Sequence, residues 1–213
     1  MKRYPGLFSF LLFLSACVSR NAPEGKPDPA RQQANVARIS ELQGVLRTGD
    51  MIFRNGNDEV SRAARSFNRK DTSYSHCGLV LVEHDSVFVY HALGGVYNPS
   101  QKLLREPLAL FCNPEENNTV AAYRYPLNAA QLGRLENTVK GYYAAGLKFD
   151  LYFNFLSDDR MYCAEFVFKS LNKAVGNALS SYVRMDTIPY GVTTDDLFLH
   201  PDSRLLKKEK FVD

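Results

Sequence analysis

The sequence predicts an α+β domain, and three observations predict it. Runs rich in β-branched and aromatic residues fill the stretch from Asp50 to Tyr125. Helical spacing of apolar residues dominates from Leu132 to Leu171. The 213 residues are 45% hydrophobic and 12% aromatic, which suits one domain with a real core. Segregated strands and helices argue for an antiparallel sheet packed against helices.

The elements follow in order. Ile39 to Leu46 reads as a short lead-in helix. A strand starts at Asp50 to Phe53, after Gly49. Val60, Ala63, Ala64 and Phe67 fit one face of a short helix. Leu79 to Val82 and Val87 to Ala92 flank the polar turn Glu83-His84-Asp85-Ser86, which predicts a β-hairpin. Thr119 to Tyr125 is another strand. Leu132, Leu135, Val139 and Tyr142 share a helical face that ends at Gly146. Cys163, Phe166, Val167, Ser170 and Leu171 share another. The last third breaks into short pieces bearing Pro and Asp, and no internal repeat is visible.

The N-terminus carries a separate signal. Lys2 and Arg3 precede the apolar run Leu7 to Leu14, which Leu14-Ser15-Ala16-Cys17 closes with small residues and a cysteine. The run is far shorter than the roughly 20 residues a membrane span needs. This tetrapeptide resembles the bacterial lipoprotein signal, which implies a signal peptide at 1–16 and a lipidated Cys17. Residues 17–36, with three prolines and many small polar residues, read as a flexible tether, and 37–213 as the folded domain. The expected location is the bacterial cell envelope, anchored to a membrane through Cys17, with the domain facing the periplasm or exterior. The net charge of +3 is mild and scattered, which argues against nucleic acid as a partner. Loss of Lys2 and Arg3 would leave 24 basic against 23 acidic residues, a net of +1.

Cysteines stand at 17, 77, 112 and 163. With Cys17 lipidated, three remain, an odd number that leaves at least one thiol free unless chains pair. Spacing alone does not assign a Cys77–Cys112 bridge. Cys163 falls at the first turn of a helix, where free backbone N–H groups and the helix dipole stabilise a thiolate and an oxyanion. A cysteine on an apolar helix face is also an ordinary core residue. His76, entering a strand, has the chemistry of a base for a thiol, and equally that of a strand-end histidine. A turn centred between Glu83 and His84 sets Val80 opposite Val87, Gly78 opposite Val89 and His76 opposite His91. The two imidazoles then share a face, and His91 can orient His76. A slip of one residue would move His91 to the other face. Cys77 adjoins His76 on the strand, so its side chain points away from that base. Cys112 lies at a strand end or turn with no evident partner. A zinc triad of Cys163, His76 and His91 has no tight ligand spacing behind it, so neither metal nor cofactor is expected.

These residues also carry a resemblance. Gly49-Asp50-Met51-Ile52-Phe53, Tyr74-Ser75-His76-Cys77-Gly78-Leu79-Val80, Phe149-Asp150, Tyr162-Cys163-Ala164-Glu165-Phe166-Val167 and Thr194-Asp195-Asp196-Leu197-Phe198 occur in one order over about Arg47 to His200. In this the chain resembles the YaeF/YiiX branch of permuted papain-like amidases in the NlpC superfamily, with the lecithin–retinol acyltransferase group more distant. The resemblance implies a circularly permuted papain-like fold, with histidine ahead of cysteine. It implies Cys163 as nucleophile, His76 as base and a third polar residue on the next strand. Many branch members have Glu there, whereas His91 matches the acyltransferase relatives. Tyr74 is expected to line the site, or else to be a packing aromatic. The implied activity is a thiol amidase or peptidase working through a thioester on a peptide-like, cell-wall-type amide. An acyltransferase or lipid hydrolase with the same site is the second reading, and an inactive envelope binding protein the third.

Overall fold

The hairpin that carries both histidines lies near the middle of a single antiparallel sheet. The structure is a computed structural model and describes residues 28–212. The expected signal peptide, Cys17 and the tether up to residue 27 lie outside the described residues. In chain order the elements are α1 (Pro29–Val45), β1 (Met51–Gly56), α2 (Glu59–Ser66), β2 (His76–Glu83), β3 (Ser86–His91), β4 (Leu104–Pro107), α3 (Leu108–Phe111), β5 (Asn117–Arg124), α4 (Ala129–Ala144), α5 (Cys163–Ala174), α6 (Thr194–Phe198) and β6 (Arg204–Lys210). The strands stand in the order β4-β3-β2-β1-β5-β6, and every neighbouring pair is antiparallel. This bears out the α+β class.

Alternation along the central strands divides the core in two. Met51, Phe53, Cys77, Leu79, Leu81 and Ala121 face α4, α5 and α6 and meet Leu135, Val139, Phe166 and Leu171. Ile52, Val80, Val89, Val120 and Ala122 face the other way, against Leu42 of α1 and Phe111 of α3. Helices on both faces explain why β2 reads almost uninterruptedly apolar. Truncating a residue such as Leu79, which is fully buried, costs about 2–5 kcal/mol.

The hairpin is present, with a register two residues from the expected one. Glu83 pairs with Ser86, Val82 with Val87 and Val80 with Val89. His84 and Asp85 form a two-residue turn with φ of 47° and 62°. Both central residues are left-handed, as a type I′ turn requires, and its twist matches the strands. A shift of two preserves side-chain parity, so His76 and His91 still share a face.

Other elements differ from expectation. The stretch 29–36, read as tether, is the start of a 17-residue helix. Asp28 caps it, its Oδ1 accepting the Ala30 N–H at 3.0 Å. Only Asn35 and Leu42 of that helix are buried, so it carries little apolar periodicity to read. β4, α3, α6 and β6 are short or polar and were not expected. β6, Arg-Leu-Leu-Lys-Lys-Glu-Lys, is an edge strand held by backbone pairing to β5. Cys112, read as a strand end or turn, lies in the turn that caps the C-terminus of α3. Segregation is partial, because α2 intervenes between β1 and β2 and β6 comes last.

Candidate active site

Cys163 is the first residue of α5, after the cap residue Tyr162. The helix starts there because Glu165 reaches back, its Oε2 accepting the Tyr162 N–H at 3.2 Å. Phe166, Val167, Ser170 and Leu171 are buried on the core side. Burial pushes the Glu165 carboxyl up to about 7, against the pull of Lys169. The Cys163 thiol is shifted down from its ordinary range. The neighbouring Cys77 and the N–H groups of Ala164, Cys77 and Cys163 itself favour the thiolate and outweigh the opposing effect of burial.

The two histidines form one hydrogen-bonded pair. His76 Nε2 lies 2.8 Å from His91 Nδ1, with the rings 5.0 Å apart and 82° to one another. His91 Nε2 lies 3.0 Å from Glu106 Oε2, on β4. Phe111 packs against both rings, and the Arg54 guanidinium lies over Phe111, 4.7 Å from its centroid. Arg54 is also the direct cross-strand partner of His76. Continuing the hairpin register sets Gly78 opposite His91. A Cβ at Gly78 would come within 2.7 Å of Val89 Cγ1 and 2.8 Å of the Tyr90 carbonyl oxygen, so the tight pairing needs glycine.

Charge assigns the protons. Burial depresses His76 well below its ordinary value, and Arg54 and His91 add to the effect. Burial also depresses His91, although Glu106 opposes it. Burial alone would raise Glu106, but its hydrogen bond and attraction to His91, with Arg54, hold it down as a carboxylate. Glu106 therefore accepts from His91 Nε2–H. His91 Nδ1 is then the acceptor for His76 Nε2–H, and His76 Nδ1 is left bare. A neutral imidazole with a free nitrogen is a base.

Cys163 and His76 line one cleft of about 550 Å³, together with Arg54, Ser75, Glu106 and Phe149. Asp150 Oδ1 accepts the Tyr152 N–H at 2.9 Å and shapes the turn that brings Leu151 and Phe153 to the same cleft. Glu106 was missed in the sequence, because a four-residue edge strand leaves no periodic signal. Tyr74, expected at the site, is not in the cleft. Its ring is buried among Phe53, Tyr123 and Phe198. Regular alternation begins only at His76, so Ser75 reaches the cleft instead. Cys77 and Cys112 are both free and buried, on opposite faces of the sheet, so they form no bridge. Burial holds the Cys77 thiol well above its ordinary range and pushes Cys112 up to about 12. Among the described residues, no group of three or more His, Cys, Asp or Glu side chains is arranged to hold a metal ion.

A family model described as "Permuted papain-like amidase enzyme, YaeF/YiiX, C92 family" matches residues 45–202. The chain belongs to this family. The uncharacterized protein YiiX of Escherichia coli strain K12 is 30% identical over 131 residues, which are 61% of this chain and 59% of that protein. The match thus spans less than two thirds of that relative. The crystal structure of metalloprotein yiiX from Escherichia coli O157:H7, DUF1105, superposes with a TM-score of 0.59 at 23% identity. It covers 78% of this chain and 99% of the other, and supports the fold.

Membership in the permuted papain-like amidases bears out the resemblance read from the ordered motifs. The motif at Thr194–Phe198 proves to be structural. Asp195 Oδ2 accepts the N–H groups of Arg69, Lys70 and Asp71 at 3.0, 2.6 and 3.2 Å, and its Oδ1 accepts the Thr193 hydroxyl at 2.6 Å. Arg69 pairs with Asp196. The motif thus pins the loop that leads into the His76 strand.

Proposed function

We propose that this permuted papain-like amidase is a cysteine amidase or peptidase acting through a thioester on a peptide-like amide. The observation that carries the reading is the hydrogen-bonded chain Glu106–His91–His76 beside a cleft that His76 and Cys163 both line; the proton assignment leaves His76 Nδ1 without a hydrogen to donate. His76 takes the proton from Cys163 Sγ, and the thiolate attacks the carbonyl carbon. Free N–H groups at the α5 terminus stabilise the oxyanion. His76 then protonates the departing amine, leaving a thioester on Cys163, and water releases the acid with the amine's place taken by hydroxide. The lowered basicity of His76 favours a neutral resting imidazole over a standing ion pair. Cell-wall amides are the substrate the reading favours.

The name metalloprotein belongs to the Escherichia coli structure. Here both His91 nitrogens and His76 Nε2 are engaged in the hydrogen-bond chain, so these side chains do not fit as a common ligand set.

Iodoacetamide should label Cys163 at least about tenfold faster than Cys77 and Cys112 near neutral pH, because thiolate character and access both favour it. Equal, slow labelling of all three, by peptide mapping, would sink the enzyme reading and leave an inactive binding protein. Acyl transfer or lipid hydrolysis is the second reading. It is favoured by the half-exposed apolar residues Tyr97, Leu110, Leu151 and Phe153 around the cleft. Incubation with peptidoglycan fragments and, separately, phospholipids, followed by mass spectrometry for an acyl adduct on Cys163, separates the two.

The proposal includes a membrane tether at Cys17 in a bacterial envelope, supported by the sequence Leu14-Ser15-Ala16-Cys17. Cys17→Ser should move the protein from the membrane to the soluble fraction. Retention in the membrane fraction would overturn the anchor.

A further inference from the structure

The mouth of the cleft carries apolar surface that the catalytic proposal does not use. Val60 of α2, Tyr97 of the short turn Gly95–Tyr97, Leu110 of α3, and Leu151 and Phe153 of the loop before Cys163 all line it, and all five are exposed. They come from four separate segments, so the fold gathers them at one place. Val96 and Tyr152 adjoin this set in sequence but do not line the cleft. They are 83% and 87% exposed, the highest values of any large apolar side chain among the described residues. A small substrate lodged in the cleft would leave both in water, whereas a broad apolar layer would cover them together with the rim. Apolar surface gathered in this way marks a contact site, and tyrosines suit the headgroup level of a bilayer.

The path of α1 brings a bilayer to the same side. Arg31, in the first turn of α1, donates to Glu115 Oε1 at 3.2 Å, and Asn57 Nδ2 donates to the Glu115 carbonyl at 2.9 Å. Asn57 and Glu116 line the cleft. At the other end of the helix the Val45 carbonyl accepts from Arg124 Nη2 at 3.1 Å, next to Asp50 at the far end of the sheet. The chain therefore enters the domain at the cleft end. Cys17 precedes Asp28 by eleven residues, a reach of at most about 40 Å.

We propose that the cleft mouth docks face-on against a phospholipid bilayer, with its apolar rim seated in the headgroup layer. The side of approach rests on the proposed anchor at Cys17, while the rim does not. A lipid anchor and a weak surface contact reinforce each other, because the anchor holds the rim at high local concentration. Docked in this way, the cleft opens on groups borne by the bilayer and not on bulk solvent.

The sequence contains no tryptophan, so a single introduced indole reports the contact. Tyr152→Trp places it on the rim. Ser86→Trp places it opposite Glu83, at the end of β2 away from His76 and about 23 Å along the strand. Each variant is made in the chain from residue 17 onward with Cys17→Ser, which retains every described residue. It is mixed with vesicles of phosphatidylethanolamine and phosphatidylglycerol bearing brominated acyl chains. The expected result is a blue shift and at least about twofold quenching for Tyr152→Trp, and neither for Ser86→Trp. Val96→Ser combined with Tyr152→Ser should weaken co-sedimentation with the vesicles at least about tenfold. If the two indoles respond alike, the chain meets lipid by another face and the docking is wrong. If neither responds, the docking is also wrong, and a dimer dissociated by the double Ser variant would identify a second copy of the chain as the occupant. The anchor is judged apart from this. Membrane retention of Cys17→Ser that the double Ser variant abolishes would uphold the docking and overturn the anchor. Release of Cys17→Ser with an unresponsive indole would do the reverse. None of these readouts uses Cys163 chemistry, so the enzyme reading stands or falls separately.

Discussion

Glu106→Gln is expected to lower turnover by about 10²–10⁴-fold, with little change in melting temperature. The size follows from the proton chain. Glu106 is an acceptor only, so it requires a proton on His91 Nε2, and His91 Nδ1 is then free to accept from His76. Glutamine presents an amide N–H₂ that can donate to His91 Nε2. That donation moves the His91 proton to Nδ1, which then donates to His76 Nε2. The His76 proton shifts to Nδ1, the nitrogen meant to serve as the base. The fold is spared because Glu106 lies on an edge strand and its side chain is partly exposed. Glu106→Asp retains an acceptor at shorter reach and should lose less. The measurement is kcat/KM on whichever amide proves to acylate Cys163, or the iodoacetamide rate at Cys163 in its place. A Gln variant with wild-type rates would remove Glu106 from the machinery and leave His91 as a packing partner.

The largest stability effect is expected at Asp195. Its carboxylate is fully buried and satisfies three consecutive backbone N–H groups and one hydroxyl. Asp195→Ala strands the three N–H donors, while the Thr193 hydroxyl keeps Asp196 Oδ2, and losing a partner at a half-buried polar group costs about 1–3 kcal/mol before relaxation. A net loss of about 3–5 kcal/mol is expected, a large part of the roughly 5–15 kcal/mol that holds a domain together. Urea or thermal unfolding checks it. Asp195→Asn should recover much of the loss, because its amide oxygen can keep the three N–H groups while its N–H₂ donates to the Thr193 hydroxyl, which still donates to Asp196 Oδ2. A loss under about 1 kcal/mol in Asp195→Ala would mean that solvent reaches the Arg69–Asp71 loop and replaces the carboxylate. The same variants should slow Cys163 chemistry where they still fold, since that loop leads directly into His76.

Different parts of this design were legible to different degrees. The hairpin was readable because its turn is polar and its flanks are β-branched, and both are local properties. Its exact register was not. It depends on which two residues take left-handed backbone angles, and His84-Asp85 lacks the glycine that would mark them. That error was harmless for the site, because parity survives a shift of two. The Cys163 helix was readable from its apolar face. Glu106 was not, because its link to His91 joins two strands through a side-chain hydrogen bond and leaves no periodicity. Of the two readings of Tyr74, the packing aromatic is the one its surroundings match, because closeness to His76 in sequence does not carry a side chain into the cleft across an irregular loop.

Local pattern in the chain was enough for the α+β class, the family, the shared face of His76 and His91, and the helix-terminal position of Cys163. These follow from periods of two and 3.6 residues and from ordered local motifs. The expectations for residues 1–27 rest on sequence alone. Tertiary packing supplies the rest: Glu106 bonded to His91, Cys163 and His76 on one cleft, Tyr74 in the core, and Asp195 holding the loop ahead of His76. Each of these is a contact between side chains or loops far apart in the chain. Such contacts are set by how strands and helices stack, and no local spacing encodes them.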